Sequence, residues 1–230
     1  MVIDAGSTGN GPDGKIPLSV GRQCGLQLID HNWLCDEDGL TSLAVRDHGT
    51  HHNFIPYSNR PIKWHTDGYY NTKQRQIWAL LLHCVNSAVE GGENALMDHE
   101  IAYMMLRDED PAYIEALMQP DAMTIPARIE GSKVARQEEI GPVFSIHPVS
   151  GDLHMRYTAR VHNVIWKNDE AVLKAVARLE AILVSDTPYI FRGRLEAGMG
   201  LVSNNVLHDR SGFTDTMQHR RLLYRARYYD

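Results

Sequence analysis

Short apolar runs separated by turn residues dominate this chain, and only a few stretches carry helical periodicity. Gln76 to Val85 (QIWALLLHCV) is nearly continuous in apolar character and has the length of a buried strand. Pro142 to His147 (PVFSIH), Leu153 to Tyr157, Tyr189 to Arg192 and Gly200 to Leu207 (GLVSNNVL) read as further strands. Each is bounded by Gly, Pro, Asp or Asn. Arg221 to Tyr229 (RLLYRARYY), rich in aromatic and basic residues, reads as a last strand. Helical spacing occurs after Asp98, through Ile101, Met104, Met105 and Leu106, and again after Asp110-Pro111. A third helix is predicted over Asp169 to Leu183. Asn168 is its cap, acidic residues fill its first turn, and Val172, Val176, Leu179, Ile182 and Leu183 form its apolar stripe. Many strands, few helices and no βαβ alternation predict a mainly β fold with flanking helices, an antiparallel sandwich or jelly roll.

The 230 residues suit one domain, expected over 18–230, after a Gly-, Asp- and Ser-rich lead-in over 1–17 that reads as flexible. That lead-in has no basic region followed by an apolar stretch, so it is not expected to be a secretory signal. A net charge of −6 argues against a nucleic-acid partner held through phosphates. No apolar window reaches the roughly 18 residues of a membrane span, so no membrane partner is expected. Cys24, Cys35 and Cys84 are odd in number and lack CxxC pairing, which points to a reducing, cytoplasmic setting without a disulfide framework.

The chemistry-bearing segment is Lys63-Trp64-His65-Thr66-Asp67-Gly68. In extended backbone, residues i and i+2 share a face, so His65 and Asp67 can offer a nitrogen and an oxygen to one ion. A single HxD is common by chance; what gives this one weight is His208, behind the apolar run that ends at Leu207. Two histidines and one carboxylate leave coordination positions open, the pattern of non-haem Fe(II) oxygenases, although the same ligands can hold zinc. His208 is followed by Arg220, Arg221 and Arg225. A guanidinium presents a planar fork suited to the distal carboxylate of a dicarboxylic keto-acid. On one strand Arg221 and Arg225 would face the same side. The alternative for this tail is a basic edge strand that discourages aggregation.

The runs WHTDGYYN, EGGENALMDHEIAY, YTARV, and NNVLHDR with RRLLYRARYY, in that order and spacing from about Pro61 onward, resemble the taurine dioxygenase and 2,4-dichlorophenoxyacetate dioxygenase family. The resemblance implies a double-stranded β-helix, with Fe(II) held by His65, Asp67 and His208, and 2-oxoglutarate and O₂ as co-substrates. It also implies that Arg221 binds the distal carboxylate of 2-oxoglutarate and that Arg225 reaches an anionic small-molecule substrate. The family's Gly-Gly-Asp-Thr stretch is Gly91-Gly92-Glu93-Asn94 here, so Asn94 would take the place of the threonine that helps hold 2-oxoglutarate. Tyr157 and Arg160 fall where taurine dioxygenase lines its substrate pocket; a core aromatic is the alternative for Tyr157. Before Pro61 the likeness fades, and the substrate is not readable. Lys63 and Arg156 are further candidates for presenting positive charge. The implied reaction oxidises a substrate C–H bond and releases succinate and CO₂, and the implied assembly is a homo-oligomer. A jelly-roll metal-dependent hydrolase, lyase or metal-binding sensor remains the alternative; the Arg221 fork argues against it.

His48, His51 and His52 invite a second metal site, but no carboxylate or thiolate stands at fixed spacing, so a solvated loop is expected. His83 and His99 are expected in hydrogen-bonded roles, and the methionines of the helices as core fillers.

Overall fold

The computed structural model describes residues 1–4, 15–32, 35–49 and 54–230. Its frame is two antiparallel sheets. The larger runs in the order β1 (Val2–Asp4), β15 (Met199–Ser203), β4 (Ala79–Asn86), β18 (Leu222–Tyr228), β2 (Thr41–Leu43). The smaller runs β14 (Phe191–Gly193), β6 (Asn94–Met97), β16 (Leu207–Arg210), β3 (Ile62–His65). Strands distant in sequence lie side by side in both, as a jelly roll requires.

The two-residue period of the strands sorts their side chains into layers. On β18, Leu223, Arg225 and Arg227 stand opposite Cys84, Leu82 and Leu80 of β4. Leu80, Leu82, Cys84, Leu201 and Leu223 form the apolar lining between the sheets, and Leu96 of the smaller sheet packs on it. The alternate residues Ala79, Leu81, Ala226 and Tyr228 face outward under Leu18 and Val20 of α1 (Lys15–Gln23). The outer face of the smaller sheet, with Trp64, Ala95, Met97 and Leu207, is covered by α2 (His99–Glu109), α3 (Pro111–Leu117) and α4 (Glu170–Leu183). The predicted stripe of α4 is buried there. Burial of each such side chain contributes about 1.5–3 kcal/mol. No helix among the described residues is long and apolar enough to cross a membrane.

Several details depart from the sequence pattern. The cap of α4 is Asp169, not Asn168: its carboxylate accepts from the amides of Ala171 and Val172. The run expected as one strand over Gly200 to Leu207 is two, β15 and β16, because Asn205 takes φ of 53° and breaks the extended chain. The lead-in over 1–17 contributes β1 at its start, paired with Met199–Leu201, and enters α1 at its end. Residues 5–14 lie outside the described residues. A separate hairpin of β8 (Arg128–Glu130) and β9 (Lys133–Arg136) had no clear apolar signature.

Candidate metal centre and its surroundings

β3 and β16 are antiparallel neighbours with His65 directly opposite His208, so both imidazoles stand on the inner face. Their ring centroids are 4.2 Å apart. Asp67 follows β3 after one residue, and its Oδ1 lies 3.8 Å from His65 Nε2. The chain then turns at Gly68 with φ of 68°, where a Cβ would meet Ile77 Cγ1 at 2.5 Å; only glycine serves both conditions. Asn205 fixes the other side. Its Oδ1 accepts from the Asp67 amide at 2.8 Å, and its Nδ2 donates to the Asp67 carbonyl at 2.9 Å and the Ile77 carbonyl at 2.8 Å.

One ligand atom from each of His65, Asp67 and His208 falls within 4.8 Å of the others. The Nδ1 of His65 lies 2.9 Å from the Lys63 carbonyl, and that of His208 lies 2.8 Å from the Val206 carbonyl. A carbonyl only accepts, so each Nδ1 carries the proton and each Nε2 keeps its lone pair for a cation. Burial, and then the neighbouring His208, pull the His65 pKa down to about 3, which keeps that ring neutral. Burial alone would raise the Asp67 carboxyl. Arg225 and then Arg227 outweigh it and hold the group below the usual carboxylate range. Arg225 Nη1 donates to Asp67 Oδ1 at 3.2 Å, while Oδ2, 3.1 Å from the same nitrogen, is buried without a hydrogen-bond partner. Two lone-pair nitrogens and an ionised carboxylate with an orphaned oxygen fit a divalent cation, and the N₂O set suits Fe(II).

A model of the taurine catabolism dioxygenase TauD, TfdA family matches residues 27–227. The chain belongs to that family. It is 29% identical over 198 residues to a uridine-5'-phosphate dioxygenase of a Streptomyces species, spanning 83% of this chain and 70% of that protein. Among solved structures it resembles the non-heme iron oxygenase OrfP in complex with Fe and alpha-ketoglutaric acid, with a TM-score of 0.67 at 16% identity, over 97% of this chain and 68% of that one. It also resembles an asparagine oxygenase in complex with Fe(II), 2S,3S-3-hydroxyasparagine and succinate, with a TM-score of 0.60 at 16% identity over 82% of this chain. The chain spans 56% of the length of that asparagine oxygenase.

Arg221 is buried, stacks over the Phe213 ring at 5.0 Å, and forms no ion pair among the described residues. Burial lowers its pKa against the opposing pull of the Asp215 carboxylate, whose Oδ1 accepts from the Arg221 amide at 3.1 Å. Asn94 is buried as well, but its Nδ2 donates to the Asp209 carbonyl at 2.8 Å, leaving Oδ1 without a partner. Arg225 faces the centre through Asp67.

Tyr157 is placed elsewhere. Thr158 bridges His65 and so shares its face; Tyr157, one residue earlier, points the opposite way. It is fully buried in the helix-side core, with its ring 6.2 Å from that of Trp166. The core alternative therefore describes it. Arg160, two residues beyond Thr158, is half-buried and forms no ion pair among the described residues. Arg156 serves the frame, donating to the Met123 carbonyl at 2.8 Å. Lys63, two residues before His65 on β3, is exposed. His48 is exposed, while His51 and His52 lie outside the described residues.

Sequence reasoning missed two contributors and, for a third that flanks the ligands in WHTDGYYN, favoured packing over a part in the site. Asn205 is one. Another is Arg227, buried beside Arg225 and paired with the fully buried Asp30. Arg75 Nη2 meets the same carboxylate at 2.8 Å. The third is Tyr70, whose hydroxyl accepts from Arg227 Nη1 at 2.9 Å. The alternation of Arg221, Arg225 and Arg227 in RRLLYRARYY was the available signal for Arg227.

Proposed function

We propose that this protein is an Fe(II)- and 2-oxoglutarate-dependent dioxygenase that oxidises a C–H bond of a small anionic molecule. His65, Asp67 and His208 would hold the iron, and Arg221 the distal carboxylate of 2-oxoglutarate. The observation that carries this reading is the convergence of those three ligand groups, within 4.8 Å, inside a family fold. Bound iron would supply O₂ activation: one oxygen atom enters the substrate C–H bond and the other enters succinate, while 2-oxoglutarate loses CO₂. The chain's own part is positional and electrostatic. The Lys63 and Val206 carbonyls orient the two imidazoles, Asn205 sets the Asp67 backbone, and the buried Arg221 offers a planar fork to a carboxylate.

Arg225 and Arg227 line the interior, with Asp67 and Asp30 as their carboxylate partners. The likeness to a uridine-5'-phosphate dioxygenase favours an anionic substrate that bears phosphate. The free thiols Cys24, Cys35 and Cys84 favour a reducing compartment, the cytoplasm. A homo-oligomer, which the family resemblance implies, is tested by light scattering. The decisive assay is substrate-stimulated succinate formation under Fe(II), 2-oxoglutarate and O₂, with phosphate, sulfonate and carboxylate compounds, uridine 5'-phosphate among them. Stimulation should vanish in His208→Ala. Wild-type protein that binds neither Fe(II) nor 2-oxoglutarate anaerobically would overturn the assignment.

A further inference from the structure

We propose that Arg136 and Tyr70 form an oxyanion subsite beside the metal centre, which takes the tetrahedral anionic group of the substrate; the subsite rests on the oxygenase reading above. The β8–β9 hairpin pairs only with itself among the described residues and turns Ile129 and Val134 to solvent. What lays it on the body of the protein is a pair of cation–π contacts from its register partners Arg128 and Arg136. Arg128 sits 5.0 Å from the centroid of Phe54, which packs against the apolar lining between the sheets. Arg136 sits 5.5 Å from the centroid of Tyr70, three residues beyond Asp67. Such contacts attract a guanidinium to the ring face and seat the base of the hairpin on the body of the protein.

Donors accumulate around Tyr70, and acceptors do not. The Tyr70 hydroxyl accepts from Arg227 Nη1 at 2.9 Å, so its own proton must point elsewhere, and no acceptor for it lies among the described residues. Arg136 spends one Nη2 donor on the Pro126 carbonyl, while its Nε is buried with no hydrogen-bond partner. An unpaired buried N–H carries a desolvation cost that a bound acceptor would remove. Arg227 pairs with Asp30 and Arg225 with Asp67 through terminal nitrogens, while the Nε of each is, like that of Arg136, buried without a hydrogen-bond partner. The free donors at Tyr70 are thus the buried Nε–H groups of Arg136 and Arg227 and the phenolic O–H. Donors on three such groups match the non-coplanar oxygens of a phosphate or sulfonate better than a planar carboxylate. If Arg136 were only a strut closing the base of the hairpin, the Nη2 bond to Pro126 would be its whole role, and it would show no preference among anions.

The test is calorimetric titration of inorganic phosphate, sulfate and acetate into full-length protein loaded with Mn(II) and 2-oxoglutarate, and into the metal-free chain. Wild type is expected to bind phosphate and sulfate at least tenfold more tightly than acetate. Arg136→Gln and Tyr70→Phe should each erase that preference. Arg136→Lys should keep part of the affinity, and Lys133→Gln, which removes a charge from the exposed part of the same hairpin, should change nothing. Phosphate affinity unaltered in folded Arg136→Gln and Tyr70→Phe would overturn the subsite, as would wild type that binds phosphate in neither form. Failure of the oxygenase reading looks different: Mn(II) and 2-oxoglutarate then fail to bind while the phosphate preference in the metal-free chain persists.

Discussion

Asn205 and Asp67, separated by 138 positions, are joined by two hydrogen bonds that clamp the backbone of the carboxylate ligand on both its amide and its carbonyl. Asn205 adopts φ of 53°, a conformation that asparagine tolerates and most residues do not. One residue therefore ends β15, admits β16 and sets the ligand. Asn205→Ala should weaken Fe(II) or Co(II) binding by about 10–100-fold, the usual effect of losing a group that orients a metal ligand. Asn205→Gly relieves the backbone strain but not the lost clamp, so it should recover stability in urea without recovering metal affinity. Anaerobic metal titration with paired urea denaturation separates the two effects.

Arg221 and the metal ligands should be separable by mutation. Arg221→Ala removes the cation stacked on Phe213 and should weaken 2-oxoglutarate binding by on the order of 2–4 kcal/mol, roughly 30- to 1,000-fold. Iron affinity should change little. His208→Ala should show the reverse order, losing metal first and the keto-acid as a consequence. Anaerobic absorption titrations with Fe(II) and then 2-oxoglutarate read both; equal loss of iron in both variants would contradict the division of roles.

The sheet-forming runs and the His65–Asp67 pair were legible because their signals are local: β18 carries a two-residue alternation, and HxD carries its own spacing. The partner relations were not. Nothing near Asn205 announces that its amide reaches Asp67, because that contact exists only once β3 and β16 are neighbours. Tyr157 shows the converse. Its position in YTARV suggested a pocket wall, yet the bridge of Thr158 to His65 fixes the parity of the strand and sends Tyr157 to the helix side. A one-residue phase in an extended segment decides pocket or core, and sequence alone does not set that phase.

Asp30 is the counter-charge on which the arginine-rich interior depends. Arg227, Arg75 and the Tyr229 hydroxyl all meet its carboxylate. Asp30→Asn removes the carboxylate that pairs directly with the buried Arg227 and should destabilise the fold by about 3–5 kcal/mol. The lower urea midpoint should be accompanied by a shift in substrate affinity, because Arg227 also holds Tyr70. Asp30→Ala combined with Arg227→Met should recover much of the stability and none of the affinity.

His154 predicts an acid limit for the fold that is independent of the metal. It is buried beneath Trp78, with Nε2 3.2 Å from the Ile77 carbonyl and Nδ1 3.2 Å from Gln76 Nε2. Nε2 therefore carries the proton and Nδ1 accepts; a second proton on Nδ1 would face the Gln76 amide donor. Burial, followed by the neighbouring His99, lowers its pKa to about 4 from 6.5. The folded state then binds fewer protons than the unfolded chain between those values, so this contribution is full above 6.5 and is lost as pH falls towards 4. The depression corresponds to about 3 kcal/mol. Metal-free protein should show a falling urea midpoint across this interval, to which the buried His65 also contributes, and His154→Gln should reduce the slope there. Asp30, whose pKa lies below its ordinary value, adds a further loss only at more acidic pH, as its carboxylate takes up a proton. A stability curve with the same slope between pH 4 and 6.5 in wild type and His154→Gln would show that the buried imidazole is not the group being titrated.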